Sequence, residues 1–339
     1  MNVWGIHMGR HVGSDPVDNG YIGIGWHQLG DLALIEDTRE AIKAELADKI
    51  EYEKPGAIPV HAGVLYRFKV EMTLGDIVIY PSKSDRLVNI GEITGNYEFV
   101  ERDDNGYPNH RSIRWIGSFP RTDFKQSALN EIGSAMTMFM VNTHRDDFLE
   151  KVGLSDTELS AATSSDEPDD ESVTESVAQQ AQLTTEDFII KRLHSRLTHY
   201  EFEYFVAHLL ECMGYTTRVS EQSSDGGVDV IAHNDQFGFV PPILKVQCKQ
   251  STGSNGEPEA SQLLGTLGEG EYALFVNLGS YSRPARMLER NKAKLRLIDG
   301  SELAELVVEH YSKMSPRYRT ILPLKQIHVP DLNKSDNQP

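Results

Sequence analysis

The chain has 339 residues, 39% hydrophobic and 25% charged, with two cysteines and a formal net charge of −18. That length exceeds what one hydrophobic core normally fills, so more than one domain is expected. No basic segment followed by an apolar run opens the sequence, and no stretch approaches about 18 apolar residues, which predicts a cytoplasmic protein without signal peptide or membrane span. Residues 1–150 carry 15 basic and 23 acidic side chains, 151–183 carry one and eight, and 184–339 carry 17 and 20. Non-specific attraction to phosphates is therefore weak overall, and any nucleic-acid partner must be held by local patches and a metal ion.

The first 150 residues contain short runs rich in β-branched and aromatic side chains, bounded by Gly, Pro, Asp and Asn. Tyr21–Trp26, Val64–Val70, Ile77–Tyr80, Leu87–Thr94 and Ser112–Ile116 are predicted strands of a small β-rich domain, a barrel. Helices are predicted over Thr38–Ile50 and Ser127–Gly133. All three tryptophans lie in this half. A pocket for an extruded base needs aromatic faces to stack on and polar groups to read the base edge. Trp26 and Tyr97, each beside glycine-rich turns, are the favoured faces, with Trp4, Tyr21 and Trp115 as further candidates. Ser82, Asn89, Asn96 and Arg114 are candidate edge readers. His7, His11 and His27 lack ligand-like spacing and are assigned no metal. The opening Trp4-Gly5-Ile6, Gly75–Ser82, Ile90–Tyr97 and Arg111–Trp115 resemble the PUA-like fold, closest to its EVE-type branch. That resemblance implies a pocket for a flipped, often modified, base.

Residues 151–183 are acidic, rich in Ser, Thr, Ala and Gln, and nearly devoid of large apolar side chains. Such a stretch buries too little to offset its ordering entropy and is predicted to be a flexible linker, with Asp166–Glu171 at its centre. Residues 184–330 form the second expected domain, and 331–339 a disordered tail.

In that second domain Phe202, Phe205, Val206, Leu209, Leu210 and Met213 recur at helical spacing and predict one buried helix face, stopped at Gly214. Glu203 lies at the flank of the stripe. Asp225-Gly226-Gly227 predicts a close turn ahead of a strand carrying Asp229, and a second strand carries Gln247-Cys248-Lys249. Alternation puts Gln247 and Lys249 on one side, Val246 and Cys248 on the other, and turns Asp229 away from Val228 and Val230. Paired strands would bring carboxylate, amide and ammonium together, a layout suited to a hard divalent ion and phosphodiester cleavage. Both cysteines read as core thiols in a reducing compartment.

Tyr200–Glu203, Cys212–Tyr215, Ser224–Ala232 and Val246–Lys249, continued by Leu263-Leu264-Gly265, Tyr272–Asn277, Ser282–Ala285, Leu297–Gly300 and Glu302-Leu303, resemble the Mrr-type restriction endonucleases of the PD-(D/E)xK superfamily. The resemblance implies a mixed sheet flanked by helices and Mg²⁺ or Mn²⁺ as cofactor. It implies Asp229, Gln247 and Glu203 as metal-site residues and Lys249 as catalytic lysine, so that all four are candidate catalytic residues. Gln247 stands where the wider superfamily has an acid. Arg283, Arg286, Arg290 and Lys292, with Lys294 and Arg296, form a basic cluster opposed by Glu289 and are candidate DNA-phosphate contacts. The two halves together imply a modification-dependent restriction endonuclease acting on double-stranded DNA with an altered base, a modified cytosine. Cutting both strands implies a homodimer or a transient dimer on DNA. A structure-specific or repair nuclease, and a non-catalytic nucleic-acid-binding protein, are the alternatives.

Overall fold

The computed structural model describes residues 1–52, 56–101, 106–133, 136–154, 170–220, 227–235 and 237–326, with 170–179 described by backbone alone. Two compact units divide the described residues, one running to Leu183 and the other starting at Thr184.

The first unit is built on one six-stranded sheet of β1 (Val3–Ile6), β2 (Tyr21–Ile24), β3 (Ile77–Pro81), β4 (Leu87–Phe99), β5 (Asn109–Pro120) and β6 (Met138–Met140), ordered β2-β5-β4-β3-β1-β6. Helices α1 (Asp15–Asp18), α2 (Arg39–Lys49), α3 (Ala57–Tyr66), α4 (Gln126–Glu131) and α5 (Arg145–Leu149) complete it. Only β1 and β3 pair in parallel. The long β4–β5 hairpin shifts register at Ile90/Gly91 and Ile93/Tyr97. Such bulges add twist, and the sheet is curled into a half-barrel whose edge strands β2 and β6 do not pair, rather than a closed barrel.

Helix α2 falls within the expected Thr38–Ile50, with the Thr38 side chain accepting from the Ala41 amide as its N-cap. Val64–Val70, expected as a strand, is helical: α3 runs into a wide turn over Arg67–Glu71. Its β-branched residues favour strands, but Val64, Leu65, Phe68 and Met72 all enter one core from a single helical side. Buried Arg111 on β5 donates to the Phe68 and Lys69 carbonyls (2.7 and 2.9 Å), which helical geometry there leaves unpaired.

The second unit has a five-stranded sheet of β7 (Thr216–Val219), β8 (Val230–His233), β9 (Ile243–Lys249), β11 (Glu271–Asn277) and β13 (Leu295–Ile298), ordered β13-β11-β9-β8-β7. The two-residue strands β10 (Ser254–Asn255) and β12 (Ser280–Tyr281) pair separately. Its helices are α6 (Asp170–Arg196), which begins before the division, α7 (His199–Cys212), α8 (Glu257–Leu264), α9 (Arg283–Asn291), α10 (Gly300–His310) and α11 (Pro316–Ile321). One sheet face packs Val230, Ala232, Val246, Cys248, Leu274 and Val276 against α7 and α10. The other packs Phe275 and Leu297 with Ala260 and Leu263 of α8 and Ala285 of α9.

Helix α7 starts at a reciprocal Thr198–Glu201 capping box and ends before Gly214, whose φ of 103° few other residues adopt. Of the expected stripe, Phe202, Phe205, Val206, Leu209 and Leu210 are buried and Met213 is half-buried. Cys212 and Cys248 are buried thiols.

The flexible linker expected over 151–183 differs from what is seen at both ends: Glu150–Val152 is a 3-10 turn and α6 begins at Asp170. Ala, Glu and Gln over 170–183 are strong helix formers, and the acids at the start favour a helix N-terminus. Asp166–Asp169 and the tail 331–339 lie outside the described residues. Among the described residues no helix is long and apolar enough to cross a membrane.

Candidate functional site

The antiparallel register of β8 and β9 pairs Val230 with Val246. Asp229, one residue ahead of β8, donates its amide to the Val246 carbonyl (2.8 Å). Its carboxylate accepts from the Cys248 amide (2.7 Å). The side chain is thereby fastened across β9 between the positions of Gln247 and Lys249. Gly227 has φ +86°, and a Cβ there would stand 2.9 Å from Gln247 Nε2. A side chain at 227 would therefore collide with the amide as well as strain the turn. Asp225 and Gly226 lie outside the described residues.

One detail of the expected alternation fails. Val228 and Val230 enter different cores, one on each side of the sheet. Regular pleating starts only at Val230, so Val228 belongs to the turn and takes the opposite side.

Helix α7 brings Glu203 to the same place. Burial raises the Glu203 carboxyl above its ordinary range, and the nearby Asp229 charge raises it further, against a small lowering by His199. Burial also raises Asp229, opposed by the Cys248 amide and by His199. His199 Nε2 stands 3.4 Å from Glu203 Oε1, one helical turn earlier. A buried and a half-buried carboxylate, both raised by burial, form a site short of positive charge.

Gln247 adds the second sign. Its Oε1 is buried and has no hydrogen-bond partner, an expensive arrangement unless another electrophile meets it. Among the described residues no group of three or more His, Cys, Asp or Glu side chains is arranged to hold a metal. The donor set is instead two carboxylates and an amide oxygen. That suits a hard ion such as Mg²⁺, which commonly takes one or two carboxylates and fills its shell with water and substrate phosphate.

Lys249 lies two residues beyond Gln247 on β9 and pairs with Glu259 of α8, Nζ to Oε1 at 2.8 Å. The Lys249 hydrogen bond holds the Glu259 carboxyl below its ordinary range. Glu259 and His199 were not singled out from the sequence. His199 and Glu203 stand at helical i, i+4 spacing, a legible signal, whereas Glu259 reaches Lys249 only through the packing of α8.

The basic cluster disperses. Arg286 donates to Asp299, Glu289 (3.0 Å) and the Leu297 carbonyl (2.9 Å), and lies over the Tyr281 ring. Arg296 pairs with Glu289 and Glu302. Both fix α9 to β13 and α10 and are not offered to a phosphate backbone. Lys294 lies over Tyr272. Arg283, Arg290 and Lys292 are exposed.

The first unit contains a cavity of about 600 Å³ whose lining includes Trp26, Gln28, Tyr52, His61, Lys83 and Tyr107. Of the nine candidate base-contacting residues, Trp26 alone is among the described residues that line it. Trp4 is buried, its indole donating to Asp76 (3.0 Å). Tyr21 is buried, bonded to Asp15 (2.7 Å) and stacked on His110. The Tyr97 hydroxyl accepts from the Leu32 amide (2.9 Å) and lies 2.8 Å from Asn109 Oδ1. Trp115 donates to the Pro16 carbonyl (2.9 Å). Ser82 and Asn89 are buried, and Asn89 bonds to Tyr80 and Ser118. Arg114 pairs with Glu92, and Asn96 is exposed. These aromatic rings fill the sheet's core, with their polar tips satisfied inside the unit. Trp26 differs: its backbone is left-handed (φ 64°, ψ 43°), rare for a bulky residue and commonest where function requires it.

Residues 194–307 match a family model described as restriction endonuclease, and residues 4–142 match a domain of unknown function. The C-terminal unit thus carries a restriction endonuclease domain. No curated protein matches the chain. Two solved structures are similar to it. The MspJI restriction endonuclease in complex with a 27-mer oligonucleotide is 17% identical over 73% of this chain, with a TM-score of 0.32. The DNA modification-dependent restriction endonuclease AspBHI is 15% identical over 89% of this chain, with a TM-score of 0.34. The chain spans 62% of the first of these and 76% of the second.

Proposed function

From a restriction endonuclease domain over residues 194–307, we propose that the chain is a modification-dependent restriction endonuclease that hydrolyses phosphodiester bonds in double-stranded DNA carrying an altered base, a modified cytosine. The observation that carries the cutting half is the unpartnered, buried Gln247 Oε1, together with the Asp229 and Glu203 carboxyls, both raised by burial. Asp229, Glu203 and Gln247 would hold Mg²⁺ or Mn²⁺, which supplies Lewis-acid charge at the scissile phosphate and a more acidic bound water. Asp229 is kept in one orientation by the Cys248 amide, so it is ready for a ligand without a rotamer search. Lys249, aimed by Glu259, donates to the non-bridging phosphate oxygen or to the attacking water and offsets the developing negative charge. Arg283, Arg290 and Lys292 contact flanking phosphates.

The reader is the cavity around Trp26, which offers an aromatic face and several hydrogen-bonding side chains in one concave place. One chain carries one such nuclease centre, so cutting both strands calls for two chains, as a homodimer or a transient pair on DNA.

Matched duplexes that are plain, methylated, hydroxymethylated or branched, incubated with Mg²⁺, test this reading. Cutting confined to duplexes with a modified base, and lost in Asp229→Ala and Lys249→Ala, is expected. Equal cutting of all four would leave a nuclease without base dependence. Cutting of the branched duplex alone would make it structure-specific, and retained activity in Asp229→Ala would remove the site.

A further inference from the structure

The cavity of the N-terminal unit is larger and better supplied with donors than a methylated pyrimidine requires. At about 600 Å³ it falls in the size class of sites for drug-sized ligands, roughly 300–1,000 Å³. A bare or methylated pyrimidine, a six-membered ring with a few small substituents, would leave most of that space to water. A hexose attached through a 5-hydroxymethyl group roughly doubles the atoms to be packed.

The lining chemistry points the same way. Although the chain carries 51 acidic residues, no Asp or Glu is among the described residues that line the cavity. Donors are present instead. Lys83 can only donate, and Gln28 offers its amide hydrogens. Burial lowers the His61 pKa, so its imidazole is neutral near pH 7. The Tyr52 hydroxyl lies 2.9 Å from His61 Nδ1, so the two rings share one hydrogen bond at the cavity wall. Trp26 meets His61 edge to face at 5.1 Å, so its ring is braced on one side. An aromatic face beside neutral and cationic donors suits the mixed apolar faces and hydroxyl rims of a hexose.

We propose that this cavity binds a glycosylated base, a hexose carried on 5-hydroxymethylcytosine, with Trp26 stacking on the ligand and Gln28, His61 and Lys83 bonding its hydroxyls. The proposal rests on the base-reading function given above and names the modification that it reads.

Fluorescence anisotropy of the full chain in EDTA, against one duplex sequence containing cytosine, 5-methylcytosine, 5-hydroxymethylcytosine or glucosyl-5-hydroxymethylcytosine, tests it. The glucosylated duplex is expected to bind about tenfold or more tighter than the methylated one. Trp26→Ala should erase that ratio. Because Trp26 also packs within the unit, Gln28→Ala and Lys83→Ala, at exposed positions, provide variants with little risk to folding; each should reduce the ratio several-fold. A methylated duplex bound as tightly as the glucosylated one would overturn the proposal while base reading survived. Equal affinity for all four duplexes would overturn both.

Discussion

Replacing Asp229 by Asn should strengthen the metal-free fold while abolishing cleavage. The asparagine amide oxygen can still accept from the Cys248 amide, so the local geometry is kept. Exchanging a charged for a neutral acceptor costs on the order of 1 kcal/mol. Against that, burial and its neighbour raise the Glu203 carboxyl, and burial raises Asp229. Removing one buried, poorly compensated charge should return on the order of 2 kcal/mol. The net expectation is about 1 kcal/mol of added stability in EDTA, or roughly 2–4 °C in the unfolding of a unit of this size. The pH dependence has a definite sign. Carboxyls whose folded pKa lies above the unfolded value bind more protons in the native state between the two values. Metal-free wild type therefore loses stability as pH rises from the ordinary carboxylate range, about 4, through the raised values. Below that range both states are protonated and the advantage of the variant vanishes. Thermal unfolding of both proteins in EDTA between pH 4 and 8 measures this directly. A variant less stable than wild type by 1 kcal/mol or more at pH 7 would refute the reasoning, because Asp229 would then be a structural hydrogen-bond acceptor.

Further outcomes follow from the same contacts. Glu259→Gln, which weakens the hold on Lys249 without removing the lysine, should lower kcat about tenfold with KM little changed, as expected for a misaimed transition-state group; steady-state cleavage kinetics on a modified duplex separate the two constants. Asp76→Ala strands the Asn2 and Thr73 amides and the Trp4 indole, and should destabilise the N-terminal unit by about 3 kcal/mol in urea unfolding. Arg286→Ala leaves Asp299 and Glu289 without their shared partner and should cost about 2 kcal/mol of stability, with the salt dependence of DNA binding unaltered. Arg290→Ala should do the reverse, leaving stability intact and reducing the salt slope by about 0.9.

The legible parts of this chain are those that local rules determine. Helix α7 declares itself through a 3.6-residue stripe between a capping box and a left-handed glycine, and β8 and β9 through short β-branched runs around a turn. The hold of β9 on Asp229, through the Val246 carbonyl and the Cys248 amide, follows from that pairing. What could not be read depends on distant partners. Trp4 is claimed by Asp76, 72 residues away, and Trp115 by Pro16, 99 away, so counting aromatic faces could not separate ligand platforms from core. Val64–Val70 has the side chains of a strand, but a packed core and the Arg111 guanidinium settle it as helix and turn. The run of arginines and lysines reads as opposed by Glu289 alone because Asp299 and Glu302, which take up Arg286 and Arg296, come just after it in sequence. Glu259 became visible only when α8 was seen beside β9.

The most direct test is titration of the full chain with Mn²⁺, followed by electron paramagnetic resonance and calorimetry. One ion per chain in the wild type, lost in Asp229→Ala and weakened by about tenfold or more in Gln247→Ala, is the expected result. Unchanged stoichiometry and affinity in Asp229→Ala would mean that this carboxylate and amide do not hold the metal on which the proposed cleavage depends.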